Sequence, residues 1–468
     1  MPRSSMTRCS RLGLCLYAAL SACGSAGSPS EPAQQDPGVQ ASPEVASPMR
    51  SDAAVKMSEP STAAASASAS PKASSAPMAA TPPSAAASAP SQAGGSASTS
   101  TAQQAGAAAA TAGSNAEIAG SGGMPGTTSA PSPDALTPDQ LMQECGVAPP
   151  GLAPHFEVIA SSKTPDVKLS LAIQGDPTHP PLVLVHGFPD FWCGWAPVIA
   201  ELAQRYFVVD PDMRGYNRSS KPGNPDDPQD LAAYMLPELS RDLADVVHFA
   251  AMQTQQKVSV VAHDWGAIVA WPFAHDYPED LSRLLAISVS HPTCLSQFLA
   301  SGDPALATAQ AQQNQALGYI TELVMNDSPA VWSANGYKKL FDSLDQKHLH
   351  KPNAFPEVER EAYKRMWDAD NQASFKSQIK YYRANFGVGG GRAASSDLLI
   401  SVPTAFVAPV YDGAILYPHS MDYLREHVAQ AQPLILRPIE TGHFPQREEP
   451  ARLASMIRQF VDVDWQTP

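Results

Sequence analysis

The sequence predicts an α/β architecture: a mostly parallel, eight-stranded sheet covered on both faces, with a helical cap inserted into it. Three observations predict it. From about residue 150, short β-branched runs alternate with stretches of helical length. That alternation breaks over residues 296–395, which are rich in Gln, Lys, Tyr and Trp and hold no strand run. At Lys257–Ile268 (KVSVVAHDWGAI), a buried-strand pattern turns abruptly into a helix, with Asp264 on the bend.

The start of the chain reads as address and spacer rather than fold. Arg3, Arg8 and Arg11 precede an apolar run, Leu12–Leu20, that is too short to span a bilayer. Leu20-Ser21-Ala22-Cys23 follows and resembles the lipobox of bacterial lipoproteins, which implies a signal peptide over 1–22 and lipidation of Cys23. Gly24 after that cysteine, in the same family, implies the outer membrane. The expected location is the bacterial cell envelope, with the membrane contacted through an N-terminal lipid. Residues 23–135 are mainly Ala, Ser, Pro, Gly and Thr, a composition that cannot bury enough apolar surface to offset its ordering entropy. They read as a disordered tether reaching on the order of 60 Å. No run of 18 or more uncharged apolar residues is present, so no spanning helix is expected. Net charge is −14 with no dense Lys/Arg run, which argues against nucleic acid as a partner. After cleavage Cys145, Cys193 and Cys294 remain, enough for one disulfide with one thiol left over; spacing does not choose the pair.

Folding is expected to begin near Pro149. His155–Ala160 and Val167–Gly175 form an antiparallel opening pair, followed by strand Leu182–Gly187, a helix over Gly194–Gln204 and a strand ending at Asp210. A helix over Leu239–Met252 leads to the strand before Asp264, and another strand ends at Val289. The first part of the core is thus 150–295 and the cap 296–395. The second part, 396–468, contains strand Val402–Ala408, helix His419–Ala429, strand Pro433–Ile439 and helix Pro450–Phe460. The glycine-rich Gly387–Arg392 lies at the return from cap to core; lacking the GK[ST] ending of a phosphate loop, it reads as a hinge or a loose connection.

Candidate chemistry collects at strand ends. Ala262 and Gly266 flank Asp264 at two residues on either side, the small neighbours that a tight strand-to-helix bend needs. Asp412 follows one strand and His443 follows the next, giving the chain order nucleophile, acid, base. His186-Gly187-Phe188-Pro189 also follows a strand directly. Together HGFPDFWCGW, DMRGYNRSSKP, VAHDWGA, SHP, YYRANF and GHFPQREEP resemble the epoxide hydrolase and haloalkane dehalogenase branch of the α/β-hydrolases over roughly residues 150–465. The resemblance implies the α/β-hydrolase fold and a triad of Asp264, His443 and Asp412. It also implies an oxyanion hole from the amides of Phe188 and Trp265. Two cap tyrosines, Tyr319 and Tyr382, would act as O–H donors, and His186, Pro189, Trp192 and Tyr381 would line the pocket. Two positions depart from the pattern: Pro409-Val410-Tyr411 stands where a glycine is usual before the acid, and Asn217 replaces another glycine.

An aspartate nucleophile is already charged at neutral pH and can displace a leaving group at saturated carbon. The product is an ester that His443 and water must then cleave. An epoxide oxygen leaves as alkoxide and needs O–H donors, whereas a halide needs only weak N–H donors. Tyr382 and Tyr319 therefore favour hydrolysis of a small apolar epoxide to a vicinal diol, with water as co-substrate and no metal or organic cofactor. The alternatives are a haloalkane dehalogenase with the same Asp/His/Asp machinery, and a catalytically silent surface lipoprotein.

Overall fold

Residues 132–387, 399–427 and 434–462 are described by the computed structural model. The signal-peptide, Cys23 lipidation and most tether readings, and the glycine-rich return beyond Gly387, lie outside the described residues.

One sheet of eight strands has the order β1-β2-β4-β3-β5-β6-β7-β8. The strands are β1 His155–Ala160, β2 Lys168–Gln174, β3 Pro181–Val185, β4 Phe207–Pro211, β5 Val258–His263, β6 Leu281–Ile287, β7 Thr404–Pro409 and β8 Leu434–Ile439. β2 pairs antiparallel with β1 and β4; every other pairing is parallel. β3, β4, β5 and β7 are buried at every position, because helices cover both faces of a parallel sheet. Parallel strands also point their C-terminal ends the same way, so the loops after β3, β5, β7 and β8 share one edge, where open α/β sheets bind ligands.

Strand β6 ends two residues short of the expected Val289. Ser288 takes a left-handed φ of 68°, which turns the chain out of the strand after one last bond from its amide to the Val407 carbonyl; its hydroxyl donates to the His443 carbonyl at 2.8 Å. Helix Pro292–Ala300 straddles residue 296, the expected start of the helical cap. The cap continues through Ala307–Ala316, Gly318–Leu323, Ser328–Ser343, Glu357–Asp368 and Ala373–Phe386. Tyr337, Trp367 and Phe375 give it an aromatic interior, with ring centroids 4.6 and 5.4 Å from Trp367. Among the described residues no helix is long and apolar enough to cross a membrane.

The fold starts before Pro149. Thr137-Pro138-Asp139-Gln140 forms a capping box: the Gln140 amide donates to the Thr137 hydroxyl, and the Thr137 amide donates to Gln140 Oε1 at 2.8 Å. Helix Pro138–Cys145 follows and ends at Gly146, whose φ is 73°. Cys145 is bonded to Cys193, Cα to Cα 5.3 Å, leaving Cys294 as a buried free thiol. The same helix touches the cap, where Arg365 donates to the Gln143 carbonyl at 2.8 Å.

Candidate active site

Asp264 sits between β5 and helix Trp265–Asp276 with φ 52° and ψ −118°, a costly backbone for a residue with a side chain. The crossing of strand and helix over-determines it. A β-carbon on Gly266 would stand 2.5 Å from the Val185 carbonyl oxygen, so only glycine fits there. The bend turns the Asp264 carboxylate into the loop after β3, where the Phe188 amide donates to Oδ1 at 2.6 Å. The other oxygen, Oδ2, lies 3.3 Å from His443 Nε2.

His443 Nδ1 donates to Asp412 Oδ2 at 2.8 Å, and Asp412 Oδ1 accepts from the amides of Ala414 and Ile415 at 2.7 and 3.1 Å. The acid's loop lacks the usual glycine but is placed otherwise. Val410 N–H donates to the Ile439 carbonyl and Tyr411 N–H to the Thr441 carbonyl, extending the β7–β8 pairing up to Asp412. Burial opposes the charge on His443, yet Asp412 and Asp264 together lift its pKa to about 10. Burial also pushes Asp264 up, but the hydrogen bond and charge of His443 leave it below the ordinary carboxylate value. The resting site is therefore an imidazolium between two carboxylates.

The cap closes over this pair with aromatic rings. Tyr382 meets Phe188 and Trp265 edge-on at 5.4 and 5.1 Å, and Tyr319 meets Tyr382 at 6.2 Å. Burial raises both phenol pKa values, so both rings keep their O–H donors.

The pocket-lining expectation does not hold for Tyr381 or Trp192. The Tyr381 hydroxyl is taken by the Arg214 carbonyl at 2.7 Å, with its ring against Tyr216 and Trp265. Trp192 donates through Nε1 to Glu144 at 2.9 Å and packs on Phe156, in the seam with the N-terminal helix. His186 is spent on structure as well. Its Nε2 accepts from the Met213 amide at 3.1 Å, and burial lowers its pKa to about 4, so the ring is neutral. Pro189 is buried in the loop beside the Phe188 amide. Asn217 has φ 35°, the left-handed region that explains the usual glycine, and Nδ2 donates to Asp212 at 3.0 Å.

Sequence reading missed a buried network behind the triad. Asp190 of HGFPD accepts from Arg447 and from the Tyr363 hydroxyl at 2.8 and 2.7 Å, and Arg447 also meets Glu359 of the cap. Gln446 donates to Asp190 Oδ2 and to His263 Nδ1, both at 3.2 Å, and His263 Nε2 donates to the His443 carbonyl at 2.8 Å. Burial and the nearby His443 lower the His263 pKa to about 4, which keeps that relay neutral. His348 of the cap was missed too. Its carbonyl accepts from His443 N–H at 2.7 Å, and its ring lies 5.5 Å from Tyr319 and 5.8 Å from His443. Only the motifs HGFPD and GHFPQRE carried any sign of these partners. Among the described residues no group of three or more His, Cys, Asp or Glu could hold a metal ion.

Sheet order, bend, triad and cap together define an α/β hydrolase. The chain matches the family described as alpha/beta hydrolase fold over residues 180–450 and belongs to it. It is 30% identical over 311 residues to Epoxide hydrolase 1 of Caenorhabditis elegans, a match covering 64% of this chain and 69% of that one. It is 28% identical to the AB hydrolase superfamily protein YfhM of Bacillus subtilis, over 64% of this chain and 96% of the other. Among solved structures, an epoxide hydrolase of Bacillus megaterium in complex with an inhibitor superposes with a TM-score of 0.51 at 24% identity. That match covers 63% of this chain and 97% of the other, and the likeness is one of fold.

Proposed function

We propose that this chain is an epoxide hydrolase that converts an epoxide to a vicinal diol through an ester on Asp264. The observation that carries the reading is a carboxylate held at a strained bend, with His443 at 3.3 Å, beneath two buried tyrosines that retain their protons. Tyr319 and Tyr382 donate to the oxirane oxygen and stabilise the alkoxide as the C–O bond breaks. Asp264 Oδ2 attacks the ring carbon, while Oδ1, already on the Phe188 amide, becomes the ester carbonyl. With the carboxylate charge spent in the ester, His443 gives up its proton, which passes by way of a tyrosine to the alkoxide. The neutral ring then takes a proton from water, whose hydroxide adds to that carbonyl. The amides of Phe188 and Trp265 hold the oxyanion until the diol leaves. The named activity of the Caenorhabditis elegans relative supports the same reading.

Single-turnover hydrolysis in heavy-oxygen water tests it. The ester route puts an oxygen of Asp264 into the first diol and the label into Asp264; label in the first-turnover diol rules the route out.

We further propose that the enzyme is exported in bacteria and lipid-anchored at Cys23, on the outer membrane of the envelope. The Cys145–Cys193 disulfide supports an oxidising compartment. Substituting Cys23→Ser should release the protein from the membrane fraction; unchanged partition would remove the lipid anchor.

A further inference from the structure

One buried carboxylate ties the loop of the catalytic base to the cap. Glu448 closes the short helix Pro445–Glu448 and is only 6% exposed. Both of its oxygens accept from the Gly442 amide, at 3.1 and 3.0 Å. Oε1 also accepts from the His350 amide at 3.2 Å and Oε2 from the Lys351 amide at 3.1 Å. Three backbone donors thus converge on one side chain, two from the cap and one from the residue before His443. Among the described residues Glu448 has no ion-pair partner, and the Lys351 ammonium goes to Glu449 instead. The carboxylate is held by backbone alone.

The seam it closes is tight. A β-carbon on Gly442 would stand 2.5 Å from the His348 carbonyl oxygen and 2.7 Å from Glu448 Oε1, so base loop and cap meet with no room for a water between them. Across the same seam the His443 amide donates to the His348 carbonyl at 2.7 Å. The His348 ring in turn packs on Tyr319, at 5.5 Å between centroids.

We infer that Glu448 is a positioning residue for His443, acting through the backbone. It fixes the turn that carries the imidazole to the stretch of cap that packs on Tyr319, so the base in the core and a proton donor in the cap share one frame. This deepens the epoxide reading and rests on it for the division into two half-reactions. Ring opening is done by Asp264, aligned by the Phe188 amide, and by two tyrosines. Ester hydrolysis needs the imidazole within hydrogen-bond reach of a water, and a displacement of about 1 Å there can cost about 100-fold. Losing the clamp therefore slows the second half-reaction and spares the first.

Glu448→Gln keeps the volume but turns one acceptor oxygen into a donor that faces an N–H. Pre-steady-state kinetics of the full chain with an aryl epoxide, styrene oxide, should show ester hydrolysis slowed by about 10-fold or more and alkylation changed by less than about threefold. Intact-mass measurement should then find the alkylated enzyme accumulating. Glu449→Gln, which removes only the surface partner of Lys351, should match wild type in both steps. Equal slowing of both steps in a folded Glu448→Gln, or slowing of neither, overturns the inference.

A second readout needs no turnover. The His443 Nδ1 proton, bonded to Asp412 at 2.8 Å, gives a far-downfield NMR signal that Glu448→Gln should shift upfield or broaden away and Glu449→Gln should leave in place. An unchanged signal in folded Glu448→Gln overturns the clamp. If wild type does not open the epoxide while the variant does lose that signal, the epoxide reading fails and the clamp stands. If the variant does not fold, amide exchange in wild type decides. Gly442, His350 and Lys351 should be protected to the same degree, and fast exchange of the cap pair beside a protected Gly442 overturns the clamp.

Discussion

Gly187 and Asp264 touch so closely that a β-carbon on the glycine would stand 2.3 Å from Oδ1 of the carboxylate. The same carbon would meet the Trp265 amide nitrogen at 2.7 Å. Backbone of one loop and side chain of another are thus packed without room for a methyl group, and the Phe188 hydrogen bond depends on that fit. Gly187→Ala should lower kcat/KM about 100-fold or more, the scale of losing one oxyanion donor. Steady-state kinetics beside thermal unfolding will check it; near-normal kcat/KM in the folded variant would contradict the geometry.

Substituting Asp264→Asn removes one of the two carboxylates that hold His443 charged. The imidazole pKa should fall from about 10 in the wild type, read by NMR titration of the ring. Because the folded value lies above the unfolded one of about 6.5, the pair's stabilisation is complete below that pH. It is lost as pH rises through the folded value, so the wild-type urea midpoint should drop between pH 7 and 10. In the variant the drop should come at lower pH. Ester formation cancels the same charge, which is how His443 becomes a base only after the first half-reaction.

Replacing Tyr382→Phe or Tyr319→Phe should each slow alkylation by roughly 10- to 100-fold, a share of the 10²–10⁴ typical of proton donors. Pre-steady-state burst measurements separate this from ester hydrolysis, which should change little. Equal slowing of both half-reactions would point to a packing defect instead.

Both carboxylate oxygens of Asp210 are buried without a partner, and burial together with Asp212 pushes its pKa well above the usual value. Burial lifts Asp212 to about 7. For carboxyls with raised folded values, stability is complete below the unfolded pKa and falls as pH rises through the folded ones. Asp210→Asn should therefore be more stable than wild type at pH 8 and show a flatter pH dependence in urea unfolding. A variant less stable at pH 8 would mean Asp210 is charged and served.

The Cys145–Cys193 bond closes a loop of 48 residues, for which chain entropy gives about 4 kcal/mol of stabilisation. Urea unfolding with and without reductant should show a loss on that scale, matched by the double substitution to alanine.

The succession of strands along the chain and the triad were readable because they depend on local facts. Val258–Val261 is a buried-strand composition whatever surrounds it, and Asp264, Asp412 and His443 follow strands in the sequence itself. Tyr382 was told from Tyr381 only by the resemblance of YYRANF to a family motif, not by local facts. Adjacent helical residues point about 100° apart, and which of them meets the nucleophile is set by how the cap docks. Helix Pro138–Cys145 escaped for another reason. It is eight residues long, below what an isolated helix can sustain, and its hold comes from Cys193 and Arg365, distant in the chain. Its Thr137–Gln140 capping box was nonetheless written in the sequence. Trp192 was misplaced because an indole beside HGFPD suits a cleft wall as well as it suits a seam.

That first helix also sets a load path. Tension drawn through the chain from upstream of residue 132 enters at Cys145 and passes covalently to Cys193, five residues beyond Phe188. Shear between solvent flow and a held terminus would thus be carried by a sulfur bridge, sparing the edge strand β1, whose hydrogen bonds would otherwise unzip first.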